Sequence, residues 1–123
     1  MADNDSAPKD LAAKPGPKPA IKSAVRSPAD CADMAELRVE IDRLDGQIVA
    51  LLAARSGYVA RAAELKKTRA AIVDEARILQ VIARARAAAT IHGADADVIE
   101  AIYRAMIEAF IAFEKRLFDR DKR

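Results

Sequence analysis

All five prolines of this chain lie before residue 29, and none occurs between Ala29 and Arg123. Proline lacks a backbone N–H and interrupts helices, so a proline-free run of this length favours continuous helix. The same run is rich in Ala, Leu, Ile, Glu and Arg and contains few glycines, a composition typical of helical domains. It shows no alternating strand pattern. The sequence therefore predicts an all-α fold.

The stretch before this run has a different composition. Residues 1–30 consist largely of Ala, Lys, Pro and Ser. Such a segment cannot bury enough apolar surface to offset the entropy lost on ordering. We therefore predict a disordered tail over residues 1–30, followed by one helical domain over residues 31–123.

Apolar residues spaced three or four apart predict three helices, one long, one short and one medium. The first ends near residues 68–73, and its stripe contains Leu37, Ile41, Leu44, Ile48, Leu51, Arg55, Val59, Ala62 and Lys66. The second runs from about Glu75 to Thr90 and carries Leu79 and Ile82, with Asp74 as its N-cap. Gly93 then supplies a turn and Asp95 the next cap. The third has the predicted core stripe Ile99, Ile102, Met106, Phe110, Phe113 and Leu117, and its charged end frays into solvent.

The first stripe is too long for one chain to cover. A helix of about 32 residues spans about 48 Å, whereas the second and third would span about 24 and 36 Å. Self-association is the simplest way to bury the remainder, so we expect the chain to associate with further copies of itself.

Bulk charge excludes several classes of partner. The chain has 21 basic and 19 acidic side chains, and its net charge is only +2, which argues against nucleic acid and anionic membranes. Charges interrupt every apolar segment, and the Met1 end lacks the pattern of a secretion signal, so we expect a soluble cytoplasmic protein. Cys31 is the single cysteine, which leaves no intrachain disulfide and no cysteine metal cluster. We expect neither a metal nor a cofactor.

Two cations stand on the apolar line of the first helix. Arg55 and Lys66 are eleven residues apart, which places them on nearly the same face, about 16 Å apart along the axis. Arg38 lies about 25 Å from Arg55 and about 100° away in direction, so it cannot meet the same ligand from one straight helix.

Buried cations need anionic partners, and two interpretations stay open. The cations could form internal ion pairs with Glu64, Asp45 or a carboxylate of another helix, or Lys66 could reach water. Alternatively, they could line a pocket for a small polyanion.

Two charged residues on the other helices allow the same two interpretations, an internal ion pair or a pocket for an anion. Arg77 falls in the first turn of the second helix, where a cation opposes the helix dipole unless an anion lies nearby. Glu114 lies on a mostly apolar line of the third helix, and its alternative role is a salt bridge to Lys66 or Arg55.

Longer segments resemble a known family. "LRVEIDRLDGQIVALLAAR" followed by "ELKK", then "DEARILQVI" and "IEAIYRAMIEAFIAFE", are similar to AroQ-type, all-helical chorismate mutases and the related isochorismate-pyruvate lyases. The resemblance covers about residues 31 to 118. It implies an intertwined helical homodimer that binds a small dicarboxylate, chorismate or isochorismate.

The resemblance also implies roles for residues of the long helix. Arg38 resembles an arginine that the family donates from the partner subunit to a substrate carboxylate. Arg55 resembles the arginine that clamps the other carboxylate. Lys66 matches a lysine that hydrogen-bonds a carboxylate and the ether oxygen of the bond that breaks.

Further roles fall on the second and third helices. Asp74 and Arg77 match the segment that contacts the ring hydroxyl and lines the pocket. Glu114 stands where many members have a glutamine that donates to the ether oxygen, and it can donate only when protonated. Ile78, where mutases often have glutamate, and Phe110, on the same helix as Glu114, complete the predicted substrate-binding set. The apolar Ile78 and the eleven-residue spacing from Lys66 to Arg77 resemble the lyases.

Three functions follow as hypotheses. The preferred one is a chorismate mutase that rearranges chorismate to prephenate for aromatic amino-acid biosynthesis, with Arg55, Lys66 and Glu114 as catalytic residues. The first alternative is an isochorismate-pyruvate lyase that makes salicylate and pyruvate. The second is a non-enzymatic helical dimerisation module whose charges are only interhelical salt bridges.

Overall fold

The computed structural model describes residues 25–121. In chain order, these residues form the 3₁₀ turn Pro28–Asp30, helix α1 (Met34–Leu65), a second 3₁₀ turn, Arg69–Ile72, helix α2 (Glu75–Ile91) and helix α3 (Ala96–Asp121). No strand occurs in this part of the chain. The predicted all-α fold with one long, one short and one medium helix is confirmed.

The chain divides into two compact units, Met1–Ile48 and Val49–Arg123, and each is described by itself. Most of the predicted tail lies outside the described residues. Its last part, from Val25, is exposed and includes the first 3₁₀ turn, in which Ser27 Oγ accepts a hydrogen bond from Asp30 N at 3.3 Å. The predicted boundary between tail and domain stays a prediction.

In the first unit, side chains satisfy the backbone at the start of α1. Asp33 Oδ1 accepts from Glu36 N at 2.9 Å, and Glu36 Oε1 accepts from Ala32 N at 2.8 Å. This reciprocal arrangement resembles a capping box. Arg26 lies 3.7 Å from Glu36 and 4.0 Å from Glu40, and these ion pairs hold the preceding segment to the helix.

In the second unit, a small apolar cluster fixes the segment after α1. Ala63, Ile72 and Phe118 are buried together, with Ile111 and Leu117 packed against them. Burial of Ile72 requires the chain to leave the helix axis and turn back, so α1 ends at Leu65. The end lies three residues before the segment 68–73 near which it was predicted.

The turn between α2 and α3 is closed by backbone and side-chain caps. Gly93 has a φ of 75°, and Ala94 N donates to Ala89 O at 2.8 Å while Gly93 N donates to Thr90 O at 3.2 Å. This pair of bonds is a Schellman motif, in which glycine adopts the left-handed conformation without strain. Asp95 Oδ1 then accepts from the N–H groups at the start of α3, at 2.8 and 3.1 Å. Both predicted end signals are confirmed.

Several predicted core positions were wrong for the single chain. Leu79 and Ile102 are exposed, and the buried residues of α3 are Glu114 and Phe118. The charged end of α3 does not fray immediately after Glu114, because the helix continues to Asp121 and buries Phe118 on the way. The apolar residues of α1 are also largely exposed, among them Ile41, Leu44, Ile48 and Leu51.

Candidate active site

Lys66 is the first residue after α1, and it remains tied to that helix. Its backbone N–H donates to Ala62 O at 3.0 Å, so the helical hydrogen-bond pattern extends one residue further. Its Nζ lies 2.7 Å from Glu114 Oε2 on α3. Glu114 is buried, with 6% of its surface exposed. The two charged groups that the sequence singled out therefore meet, as in one of the alternatives left open above.

The contact leaves part of the Glu114 carboxyl group without a directed partner. Among the described residues, no hydrogen bond of good geometry reaches Oε2, although Lys66 Nζ is close to it. We interpret the contact as an ion pair. The two charged groups are close enough for strong electrostatic attraction, but their relative orientation does not suit a hydrogen bond. Buried carboxyl oxygens are costly to leave unsatisfied, so this group is suited to a hydrogen bond with a ligand.

A pocket of about 280 Å³ surrounds this pair. Its volume is close to the lower end of the range of about 300–1,000 Å³ for small-molecule sites. The pocket brings together seven of the predicted site residues, namely Arg55, Lys66, Asp74, Arg77, Ile78, Phe110 and Glu114. Arg38, which is exposed on α1, is not in this lining.

Arg55 contributes a cation that is not neutralised. Its guanidinium carbon lies 4.8 Å from the centre of the Phe110 ring, within the range of a cation–π interaction. Phe110 is itself in edge-to-face contact with Phe113, with ring centres 6.3 Å apart. No carboxylate within residues 25–121 pairs with Arg55, so its hydrogen-bond donors are available to an anion.

Asp74 and Arg77 sit at the start of α2. Asp74 Oδ1 accepts from Arg77 N at 3.0 Å, which confirms Asp74 as the N-cap. The Arg77 side chain donates to Gln80 Oε1 at 2.6 Å and forms no ion pair in the described structure. Together with Arg55 and Lys66, Arg77 gives the pocket three cations against two carboxylates. The lining is therefore net positive and suited to an anionic ligand.

The sequence-based site omitted the apolar wall of the pocket, which includes Val59, Ala71, Ile72, Val81, Ile107 and Ile111. Helical spacing could have identified part of it. Val81 is four residues after Arg77, and Ile111 is three before Glu114, so each shares a helix face with a predicted site residue. Ala71 and Ile72 belong to a non-helical segment whose path no periodicity reveals.

The structure also bears on two other features, a metal site and a membrane-spanning helix. Within the described part of the chain, no group of three or more His, Cys, Asp and Glu side chains is placed to hold a metal ion. No helix between residues 25 and 121 is long and apolar enough to cross a membrane.

Comparison with known proteins decides the family. Residues 37–115 match the family model described as chorismate mutase type II. The chain belongs to this family. It is also 33% identical over 88 residues to the isochorismate pyruvate lyase of Pseudomonas aeruginosa strain PAO1, an alignment that covers 72% of this chain and 87% of that protein.

Membership of the chorismate mutase type II family confirms the resemblance inferred from the sequence. It indicates an enzyme of the chorismate mutase type or a closely related activity, with a small molecule as its substrate. The named relative shows that a similar chain can be a lyase. The reaction of the present chain is therefore a matter of proposal.

Proposed function

We propose that this protein is a chorismate mutase that rearranges chorismate to prephenate. The observation that carries the proposal is the contact between Lys66 Nζ and the buried Glu114 carboxyl group, at 2.7 Å, inside a net positive pocket. Such a pair presents a cation and a potential hydrogen-bond donor to the same region of the pocket. In a bound substrate, the ether oxygen that gains negative charge would lie in this region.

The reaction is a unimolecular rearrangement, so the pocket has to select a conformation of the substrate. Arg55 and Arg77, which have no carboxylate partner in the described residues, are suited to hold the carboxylates of a dianion. Fixing both carboxylates brings the two carbon atoms that form the new bond together. Such positioning can contribute several kcal/mol, up to about 7–11 in favourable intramolecular systems.

Charge stabilisation would be supplied by the Lys66–Glu114 pair. As the C–O bond breaks, the ether oxygen gains negative charge, which the Lys66 ammonium and a protonated Glu114 would stabilise by hydrogen bonds. The pair is preorganised because Glu114 is buried on α3 and Lys66 is tied to the end of α1. Preorganised donors of this kind lower the barrier because they need little reorientation during the reaction.

The apolar wall would exclude water from the ring of the substrate. Ile78, Val81 and Ile107 line the pocket opposite charged groups and offer no competing hydrogen bond. Small-molecule sites commonly combine such a wall with a few polar groups that fix orientation.

We also propose a homodimer in which Arg38 is donated to the partner's pocket. Support comes from exposed apolar side chains on α1, including Ile48 at 52% and Leu51 at 71%. Burying such side chains would stabilise an assembly by about 25 cal/mol per Å² of apolar surface. Arg38 is exposed on the same helix and forms no ion pair within the described residues. A cytoplasmic location remains our expectation for this enzyme.

Isochorismate-pyruvate lyase activity is the second candidate. Ile78 presents an apolar side chain to the pocket, which resembles the lyase branch, and the named relative is an isochorismate pyruvate lyase. The same cations would bind isochorismate, which carries the same two carboxylates. The two reactions differ in which atoms the pocket aligns. The dimerisation module remains the non-enzymatic alternative.

Separate incubations with chorismate and isochorismate test the proposal. Prephenate from chorismate supports the mutase, whereas salicylate and pyruvate from isochorismate support the lyase. The variants Arg55→Ala and Lys66→Ala should abolish whichever activity occurs, and Arg55→Ala should do so while changing stability little. If the wild type consumes neither substrate at about pH 5 or about pH 8, both enzymatic functions are excluded and the dimerisation module is favoured.

A further inference from the structure

The arginines of residues 49–121 fall into two groups according to their partners. Five of them form ion pairs with carboxylates: Arg61, Arg69, Arg86, Arg104 and Arg120. Arg55, Arg77, Arg84 and Arg116 form none with any residue that the structure describes, although Arg55 and Arg116 lie over the Phe110 and Phe113 rings. Four guanidinium groups thus have no carboxylate partner, which leaves their charge available to an external anion.

Three of these four arginines, Arg55, Arg77 and Arg84, line one cavity. It has a volume of about 350 Å³ and is distinct from the Lys66 pocket, although Arg55 and Arg77 line both. Arg84 and Tyr103 belong only to this second cavity, whose other lining residues are small or apolar. No acidic residue is part of the lining. The second cavity therefore adjoins the candidate active site and carries positive charge without compensation.

Helix geometry explains why two of the cations converge. Arg77 and Arg84 are seven residues apart on α2, which is nearly two turns, so they project from almost the same face about 10 Å apart. The Arg84 guanidinium is exposed, whereas Arg55 is half-buried. The cavity thus has an exposed cation, Arg84, and a more enclosed one, Arg55, which also lines the Lys66 pocket.

We propose that Arg84 and Tyr103 complete a second anion-binding subsite, which captures a carboxylate of the small organic acid that proceeds to the Lys66 pocket. The identity of that acid rests on the proposed function. Clefts lined by one sign of charge concentrate oppositely charged ligands and accelerate their association. Arg84 would supply the first charge that the substrate meets, and the Tyr103 hydroxyl could donate a hydrogen bond.

The chain offers a direct spectroscopic test because it has two tyrosines, Tyr58 and Tyr103. Tyr103 lines the proposed subsite, whereas Tyr58 is 80% exposed on α1 and lines neither cavity. The full chain is labelled with fluorotyrosine, and fluorine NMR spectra are recorded during titration with malonate, a small dicarboxylate. The variant Tyr58→Phe assigns the two signals.

The expected result is a saturable shift of the Tyr103 signal with little change at Tyr58. Arg84→Ala should weaken the malonate affinity measured at Tyr103 by about 5- to 20-fold, since one charge-assisted contact is lost. Arg84→Lys should retain most of it. Arg61→Ala is the matched control, because it removes the same charge from an exposed helical position that lines neither cavity. An equal affinity in Arg84→Ala and wild type, or parallel unsaturable shifts of both tyrosines, overturns the subsite.

A kinetic measurement tests the role in capture. With the substrate that the wild type converts, Arg84→Ala should lower kcat/KM by about 3- to 10-fold at low ionic strength and leave kcat nearly unchanged. The difference should shrink as salt is added. An unchanged kcat/KM contradicts capture. If the wild type converts neither acid, the proposed function fails, while the malonate titration still decides whether the subsite exists.

Discussion

The guanidinium carbon of Arg55 lies 4.8 Å from the centre of the Phe110 ring, so α3 orients a cation that no described carboxylate neutralises. The aromatic face attracts the cation without occupying its in-plane N–H donors, which remain available to a ligand. Phe110 is thus a positioning residue for Arg55 as well as part of the pocket wall.

Replacing Arg55 by alanine should separate binding from stability. We expect kcat/KM to fall by about 100-fold or more, because a charge-assisted contact with the substrate is lost. The free energy of unfolding should fall by only about 0.5–2 kcal/mol, the contribution of a partly buried cation–π contact. Steady-state kinetics and urea unfolding measure the two effects. Near-wild-type kinetics in Arg55→Ala would refute its role in binding, and Arg61→Ala controls for loss of charge.

Glu114→Gln should test whether a neutral hydrogen-bond donor at this position supports turnover. The glutamine amide offers a donor and nearly keeps the size of the glutamate side chain, whereas Glu114→Ala offers no donor. We therefore expect kcat in Glu114→Gln to exceed kcat in Glu114→Ala by about 10-fold or more. Steady-state kinetics measure both values, and equal kcat in the two variants would show that no donor at position 114 assists the reaction.

Asp74 has two proposed roles that different substitutions can separate. Asp74→Ala removes the N-cap of α2 and should lower the free energy of unfolding by about 1 kcal/mol. Asp74→Asn keeps a capping oxygen and should be nearly as stable as the wild type. If the carboxylate also contacts the substrate, the asparagine variant should have a higher KM despite its normal stability. Equal stability of the alanine and wild-type proteins in urea unfolding would show that the cap contributes little.

Arg69 should influence the position of Lys66 through the segment that follows α1. Its Nε donates to Asp119 Oδ1 at 2.9 Å, which holds the turn Arg69–Ile72 against α3. Both side chains are about half exposed, so Arg69→Ala should change the free energy of unfolding by less than about 1 kcal/mol. We expect kcat to fall a few-fold as Lys66 becomes less well placed, with partial recovery in Arg69→Lys. An unaltered kcat would show that burial of Ile72 alone fixes the segment.

The link between α2 and α3 should respond to acid. Hydrogen bonds from Arg104 and Arg86 lower the pKa of Glu100 below its usual 4.5. A carboxylate with a lowered pKa in the folded state stabilises that state above its unfolded-state pKa, and the contribution is lost as pH falls through the folded-state value. Stability should therefore decline more steeply below about pH 4.5 in the wild type than in Glu100→Gln.

Thermal unfolding at several pH values checks this prediction. Glu108→Gln is the control, because Glu108 is exposed on the same helix and forms no ion pair within the described residues. Identical slopes for Glu100→Gln and wild type would contradict the expected effect.

Local signals in the sequence predicted most of the fold. Asp74, Gly93 and Asp95 marked helix ends correctly because capping depends on residues within a few positions of each other. The end of α1 was predicted only approximately, because it depends on Ile72 packing against Phe118, a contact between residues far apart in the chain. Likewise, the apolar spacing along α1 identified the side chains that would be stabilised by burial. It could not show that the single chain leaves one of them, Leu51, exposed.

The candidate site was likewise predictable only in part from the sequence. Spacing alone placed Arg55 and Lys66 on one face and offered Glu114 as a salt-bridge partner, and the resemblance to a family gave these residues a common ligand. Neither could supply the distance between Lys66 and Glu114, which depends on how α3 packs against the segment after α1. The acidic residues nearest to Arg84 in the sequence are Glu75 and Asp95, nine and eleven positions away, but only the structure shows that no carboxylate of another helix reaches it.

The place of Lys66 at the end of α1 has an electrostatic consequence of its own. The last carbonyl groups of a helix carry a partial negative charge, equivalent to about half an elementary charge, and favour a cation beside them by about 0.3–1 kcal/mol. The last turn of α1 contains no basic residue, so Lys66 is the first cation that this charge meets. The helix backbone therefore favours a positive charge at the position from which Lys66 reaches Glu114.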